Sequence, residues 1–299
     1  MKDEGPMTTR DSFAGSKISR RNGLGSIAAA TAYSVLNFPG SAQAALEPIN
    51  NPNTLYRKLR YRADEGLVFW WIKARKYGQV GTKLDALFDM QVGSLVRVKN
   101  NSDGGYDATS LEIVFYTDLN TGAFLREWKN PYTGEVLAMK HDPLGPTTTK
   151  HNANGDPIRP TELGGSKLEA TAVNMPALIE GDDIWLKHES TATVFPRDGK
   201  GEPFRVNDWS TYHAPVKAVM DAKISFVAST VHLQEVTSWS RWMNMADKPG
   251  NQTSSGVGKK VKTYAEMPAV WRKLVEEIDP DVARDPLVVL DRPTAQFER

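Results

Sequence analysis

Ala222-Lys-Ile-Ser-Phe-Val-Ala-Ser-Thr-Val-His-Leu-Gln-Glu-Val-Thr-Ser-Trp-Ser-Arg-Trp-Met243 has strand character almost throughout, because β-branched and aromatic residues dominate it. With side chains alternating between faces, continuous pairing puts His232, Gln234, Val236, Ser238, Ser240 and Trp242 on one side. Leu233, Glu235, Thr237, Trp239 and Arg241 take the other. Neither face is purely apolar. A strand this long with polar groups on both sides predicts an antiparallel barrel or strongly curved sheet with one face lining a cavity.

The flanking sequence extends this pattern. Leu67–Tyr77, Val92–Lys99 and Leu111–Asp118 are strand candidates, and Asn100-Asn-Ser-Asp-Gly-Gly105 between the last two is a hairpin turn tolerant of positive φ. Short strands follow around Phe124–Trp128 and Val136–Lys140. Leu168–Val173 and Ile184–Val194 resume the pattern, and a loop at Pro196–Pro203 leads to Trp209–Pro215. The short spacing favours an antiparallel meander over β-α-β units. His141–Gly165, rich in Pro, Gly, Thr and Asn, reads as a long loop and candidate lid, and Lys248–Gly258 reads as loop. Leu55 and Leu59 mark a short helix ahead of the sheet, and Met267–Ile278 is an amphipathic helix with Pro268 in its first turn, placed to cap the barrel. The expected fold is therefore all-β, mainly antiparallel, with a short N-terminal helix and a C-terminal capping helix.

Of 299 residues 40% are hydrophobic, enough for one large core, so residues 45–299 are expected to form a single domain. A net charge of +1, from 37 basic and 36 acidic residues, argues against nucleic acid or an anionic membrane surface as partner. The absence of cysteine excludes disulfides, a thiol nucleophile and thiolate metal sites.

Residues 1–44 have the form of an export leader. A polar region with Arg10, Lys17, Arg20 and Arg21 precedes a mildly apolar Gly23–Phe38 and ends in Ser41-Ala-Gln-Ala44. Ser19-Arg-Arg-Asn-Gly-Leu24 resembles the twin-arginine signal with Gly23 in place of the usual Phe; general secretion is the alternative route. Either implies a periplasmic protein. No other stretch has the run of 18 or more apolar residues that spans a bilayer, so no membrane insertion is expected of the mature chain.

Phosphate-binding glycine motifs, a nucleophile elbow and His-Glu-x-x-His are all absent. The five histidines do not occur at paired spacing, so no metal or other cofactor is expected, with a metal site assembled from separate strands as the alternative. Polar groups set in apolar strands remain: His188, Tyr212, His213, His232, Glu235 and Arg241 are the catalytic candidates, since a buried titratable group must be paired or functional to offset its desolvation. A histidine can transfer a proton, a tyrosine can donate to an oxyanion, and Arg241 can hold a carboxylate. Among the aromatics, Trp71, Tyr116, Trp128 and Trp239 are the candidate walls of a small-molecule pocket. The Glu235, Trp239, Arg241 face is favoured because it combines a proton acceptor, an aromatic wall and a carboxylate binder.

Tyr116-Thr-Asp-Leu-Asn-Thr-Gly122, Glu127-Trp-Lys-Asn-Pro-Tyr-Thr-Gly-Glu135 and Ser238-Trp-Ser-Arg-Trp-Met243 together resemble the bacterial family known as domain of unknown function 1838, over most of the mature chain. The Asn-Pro-x-Thr-Gly-Glu segment is a turn signature and carries no chemistry. The resemblance implies a role in the catabolism of plant-derived aromatics, with cofactor-independent decarboxylation or other lyase chemistry. It carries no catalytic motif over to particular residues. Two functions are thus expected as alternatives: a cofactor-independent lyase acting on a phenylpropanoid or lignin-derived acid, and a non-catalytic periplasmic carrier of a hydrophobic small molecule.

Overall fold

The computed structural model describes residues 51–139, 141, 143–245 and 248–294. The expected export leader lies outside the described residues. The sheet is built from β1 (Gly66–Val80), β2 (Lys83–Asn100), β3 (Tyr106–Thr117), then β4 (Glu127–Lys129) and β5 (Val136–Ala138) as a separate hairpin. It continues through β6 (Leu144–His151), β7 (Pro157–Ile158), β8 (Glu162–Leu163), β9 (Ser166–Asn174), β10 (Leu178–Glu180), β11 (Asp183–Val194), β12 (Phe204–Pro215), β13 (Thr230–Thr237) and β14 (Asn251–Val261). Every pairing is antiparallel, in the order β7-β6-β3-β2-β1-β14-β13-β12-β11-β9-β8, with β10 beside β11.

This sheet is a curled half-barrel. Helix α1 (Pro52–Arg60) packs with Val68 and Trp70 of β1, Val96 of β2, Tyr106 of β3, Leu186 of β11, Tyr212 of β12 and Val231 of β13. A nine-residue helix reaches both halves of so wide a sheet only if the sheet wraps around it. The chain itself draws the edges together: β7 and β8, at opposite ends of the order, are joined by Arg159, Pro160 and Thr161 alone. So short a link spans at most about 14 Å.

The inner face carries the even-numbered residues of β1, β2, β3, β11, β12 and β14 and the odd-numbered ones of β13. At one end these pack on α1. At the other, Ala74, Phe88, Met90 and Tyr116 are covered by Trp128 of the β4–β5 hairpin and by Trp242 and Met243 of a short turn. Asn130, wholly buried, ties hairpin to turn through its amide, which donates to the Met243 carbonyl at 2.8 Å. The outer face of β1–β3 buries Phe69, Leu95, Ile113 and Phe115 under α3 (Ala269–Ile278), α4 (Pro280–Arg284) and α5 (Pro286–Val289). The C-terminal helix thus covers the sheet from outside, with the Trp271 indole seated over Gly93.

Three segments differ from the sequence expectation. The continuous strand over Ala222–Met243 is only Thr230–Thr237, so Trp239 and Arg241 leave the ladder and the parity linking them to Glu235 breaks. His141–Gly165 contains β6, next to the end of the sheet, whose threonines pair with β3 and whose outer side is covered only by the two residues of β7; pairing so near an edge needs no apolar alternation, and this segment is sheet rather than lid. Lys248–Gly258 contains most of β14, paired on both sides. Its glycines suit that position because a Cβ on Gly256 would stand 2.6 Å from the Ala74 Cβ, and one on Gly258 would stand 2.2 Å from the Trp71 carbonyl oxygen.

Candidate functional site

The two apolar ends of the concave face are separated by a polar belt. Asp208, Glu235, Ser254 and Lys76 form one row across four strands, each directly opposite the next. Lys76 Nζ donates to Glu235 Oε1 at 2.6 Å and Ser254 Oγ donates to the same oxygen at 2.8 Å. Asp208 accepts only from Ser210 Oγ, at 3.0 Å, among the described residues. Burial, and next to it the Glu235 carboxylate, push the Asp208 carboxyl up to about 7, with the Glu112 carboxylate adding in the same direction. Of the two inward carboxyl groups on facing positions, Glu235 is matched by an ammonium, and Asp208 titrates near neutrality.

Arg60, the last residue of α1, supplies the opposite charge. Its guanidinium carbon lies 5.4 Å from the centre of the Trp70 ring, 5.9 Å from Tyr61 and 6.0 Å from Tyr212. Among the described residues it forms no ion pair or side-chain hydrogen bond, while its charge reaches Asp208 and His188. The position of Arg60 is rigid because the C-terminal carbonyls of α1, which a helix leaves without internal partners, are all taken. Lys260 Nζ donates to the Lys58 and Tyr61 carbonyls at 2.7 and 2.6 Å, Ser229 Oγ to that of Leu59 at 2.6 Å, and Trp70 Nε1 to that of Arg60 at 2.8 Å. Lys260 is almost wholly buried, and burial pulls its ammonium down; its bonds to the helix end account for its being there.

Of the catalytic candidates read from the sequence, Glu235, Tyr212 and His188 face the interior. Burial raises the Tyr212 phenol to about 12, and burial with the neighbouring Arg60 charge lowers His188 to about 4. His213 and His232 lie on the outer face, around a shallow groove of about 590 Å³ that Trp71 also lines. His213 stacks on Trp185 and its Nε2 meets Asp183 Oδ1 at 2.7 Å, a half-exposed pair. Arg241 and Trp239 stand at the rim, in a cavity of about 760 Å³ bounded by the loops before β12 and after β13. Tyr116 and Trp128 are packed around Phe88 in the apolar cluster opposite α1. Arg60, Asp208, Lys76 and Glu112 are inner residues the sequence reading passed over. For Asp208 the signal was available: Phe204, Val206, Asp208, Ser210, Tyr212 and Ala214 alternate in step, so whichever face holds Tyr212 holds Asp208.

The arrangement combines a fixed cation among aromatic rings, a carboxyl that is partly protonated at neutral pH, and a carboxylate that accepts a hydrogen bond from a lysine. Such a set can orient an anionic ring-bearing molecule and deliver a proton to it. Among the described residues no group of three or more His, Asp or Glu is placed to hold a metal ion, and no helix is long and apolar enough to cross a membrane. No curated protein matches the chain. A family model described as protein of unknown function, DUF1838, matches residues 64–296, the greater part of the sequence, and the chain belongs to that family.

Proposed function

We propose that the concave face binds a small aromatic carboxylic acid of the phenylpropanoid type and that the protein is a cofactor-independent lyase that decarboxylates it. The observation that carries this reading is Arg60: a guanidinium without an acid partner among the described residues, walled by Tyr61, Trp70 and Tyr212 and within electrostatic reach of an Asp208 carboxyl raised to about 7. In this scheme Arg60 takes the substrate carboxylate with two parallel hydrogen bonds and the rings bracket its aromatic portion. For a para-hydroxylated cinnamate, the phenol gives up its proton as Asp208 protonates the carbon bearing the carboxylate, which leaves a quinone methide. The bond to the carboxylate then breaks, its electron pair forms the vinyl double bond and restores the phenolate, which takes back the phenolic proton, and carbon dioxide departs. Net, the acid anion and one proton become a vinylphenol and carbon dioxide, so no redox partner is required. The partly protonated state of Asp208 suits a proton donor at neutral pH.

The test is incubation of the mature protein with a panel of lignin-derived phenolic acids, with products followed by mass. A product lighter by carbon dioxide, lost in Asp208→Asn while substrate binding persists, is the expected result. Absence of product with every acid contradicts catalysis, and saturable binding without turnover makes the protein a carrier. The periplasm is the proposed compartment, on the strength of Arg20, Arg21 and Ser41–Ala44. A reporter fused to residues 1–50 should be exported, and Arg20→Lys with Arg21→Lys should block that export if the twin-arginine route is used.

A further inference from the structure

Where the two edges of the sheet approach each other, a cleft of about 540 Å³ opens beside α1, lined by Tyr56, Tyr61, His151 and His188 among others. A chain of side-chain hydrogen bonds crosses it. Asn53 Nδ2 donates to Asp156 Oδ1 at 2.6 Å, Asn174 Nδ2 donates to Asn53 Oδ1 at 2.8 Å, and His188 Nδ1 meets Asn174 Oδ1 at 2.8 Å. The direction of this chain is fixed from its acidic end. An ionised carboxylate only accepts, so Asn53 must turn its NH2 to Asp156, which leaves its oxygen for Asn174. Asn174 then has only its oxygen left for His188, and the proton between them belongs to His188 Nδ1. A neutral imidazole with its proton on Nδ1 has a bare lone pair on Nε2. Among the described residues, Nε2 has no partner.

The ring carrying that lone pair is held flat against Tyr56, with centroids 4.6 Å apart and planes 24° apart. On the opposite edge His151, buried to 3% exposure, stacks on Tyr106 at 4.1 Å, and its Nδ1 has no hydrogen-bond partner among the described residues. The walls are aromatic and the available polar atom of His188 is an acceptor. The matching ligand is a flat ring bearing a hydroxyl donor.

We infer that this cleft is a subsite for a hydroxylated aromatic ring, whose hydroxyl donates to His188 Nε2. The inference deepens the proposed function, on which it rests only for the remainder of the ligand, since it supplies the partner of the phenolic hydroxyl and leaves the carboxylate to Arg60. Burial and the Arg60 charge keep His188 neutral down to about pH 4, so the acceptor persists through the physiological range. The charged and titratable groups facing His188 are Arg60 and Tyr56 of α1, Glu189 of its own strand and, through Asn174 and Asn53, Asp156 of the opposite edge.

The experiment uses nitrogen-15 imidazole spectra of the mature protein, with His188 assigned by its loss in His188→Phe, and titration with 4-ethylphenol and its methyl ether 4-ethylanisole. At pH 7 His188 should show a protonated Nδ1 and a bare Nε2, and 4-ethylphenol should shift the Nε2 signal saturably while the ether does not. His188→Phe should weaken 4-ethylphenol roughly five- to tenfold, the range expected for one hydrogen bond, and leave the ether unchanged. Asn174→Leu retains the imidazole but frees its tautomer; it should also weaken the phenol, which separates hydrogen bonding from simple packing at residue 188. A proton found on Nε2, equal affinities for phenol and ether, or unchanged phenol affinity in both variants overturns the inference. Neither probe carries a carboxylate, so this result is independent of whether Arg60 binds one.

Discussion

Asp208 and Glu235 stand directly opposite each other on neighbouring antiparallel strands with both side chains on the concave face, yet among the described residues only Glu235 has an ammonium against it, Lys76 Nζ at 2.6 Å. Burial first, and then the facing Glu235 carboxylate, push the Asp208 carboxyl up to about 7. An acid whose folded pKa lies above its unfolded value of about 4 contributes stability that is fully present below pH 4 and lost as pH rises through 7. Asp208→Asn removes the ionisation. Between pH 4 and 8 the wild type should therefore lose on the order of 2–4 kcal/mol of unfolding free energy relative to Asp208→Asn, by urea denaturation at a series of pH values. Parallel curves for the two proteins would show that Asp208 ionises as an ordinary surface carboxyl.

Removing the cation takes the ammonium away from Glu235 while Asp208 still faces it. Lys76→Met should cost roughly 2–4 kcal/mol, somewhat less than a wholly buried pair because the Glu235 side chain retains 24% of its exposure. Adding Glu235→Leu should restore most of the loss, since replacing both members of a pair by apolar groups removes the stranded charge. A double variant as unstable as the single one would mean that Lys76 acts by packing alone.

Gly93 is occupied from outside by Trp271. A Cβ at that position would stand 2.1 Å from the indole carbons, so Gly93→Ala must displace the ring that docks α3. Alanine in place of glycine usually gains up to about 1 kcal/mol from the unfolded chain, but here the clash dominates, and a net loss of roughly 1–3 kcal/mol is expected in thermal unfolding. A variant as stable as the wild type would show that the helix slides without cost.

These residues also show where the fold and the site were legible. The strands with clean alternation, such as Ile184–Val194, and the hairpin at Asn100–Gly105 could be read because burial of one face leaves a period of two. β14 could not be, since its pairing with two bent neighbours demands Ser254, Gly256 and Gly258, which carry no apolar signal. Alternation places Glu235 on one face with Leu233, and Asp208 with Tyr212, but it does not say that those two faces are the same concave surface. That fact depends on pairing register, which is a long-range property. Arg60 was hidden for a different reason. In sequence it is one more basic residue in a polar helix, and only the wrapping of the sheet around α1 turns it inward.

In the sequence Arg241 was favoured together with Glu235, and His232 was a candidate on the other face, but the structure places Arg241 at the rim and His232 on the outer face. Arg241→Met and His232→Ala should each leave the affinity for an aromatic acid within about twofold of wild type, a change no larger than that of an ordinary exposed substitution. A loss beyond tenfold for Arg241→Met would move the carboxylate site to the rim cavity.

The central claim is that Arg60 binds the carboxylate of an aromatic acid inside the half-barrel. Calorimetric titration of 4-hydroxycinnamate into wild type and Arg60→Met, at pH 7 and with circular dichroism to confirm the fold, measures it most directly. The account predicts saturable binding to the wild type and a loss of roughly 10- to 100-fold in Arg60→Met, the range for a charged hydrogen-bonding partner in a partly buried site. Equal affinities in the two proteins would contradict it.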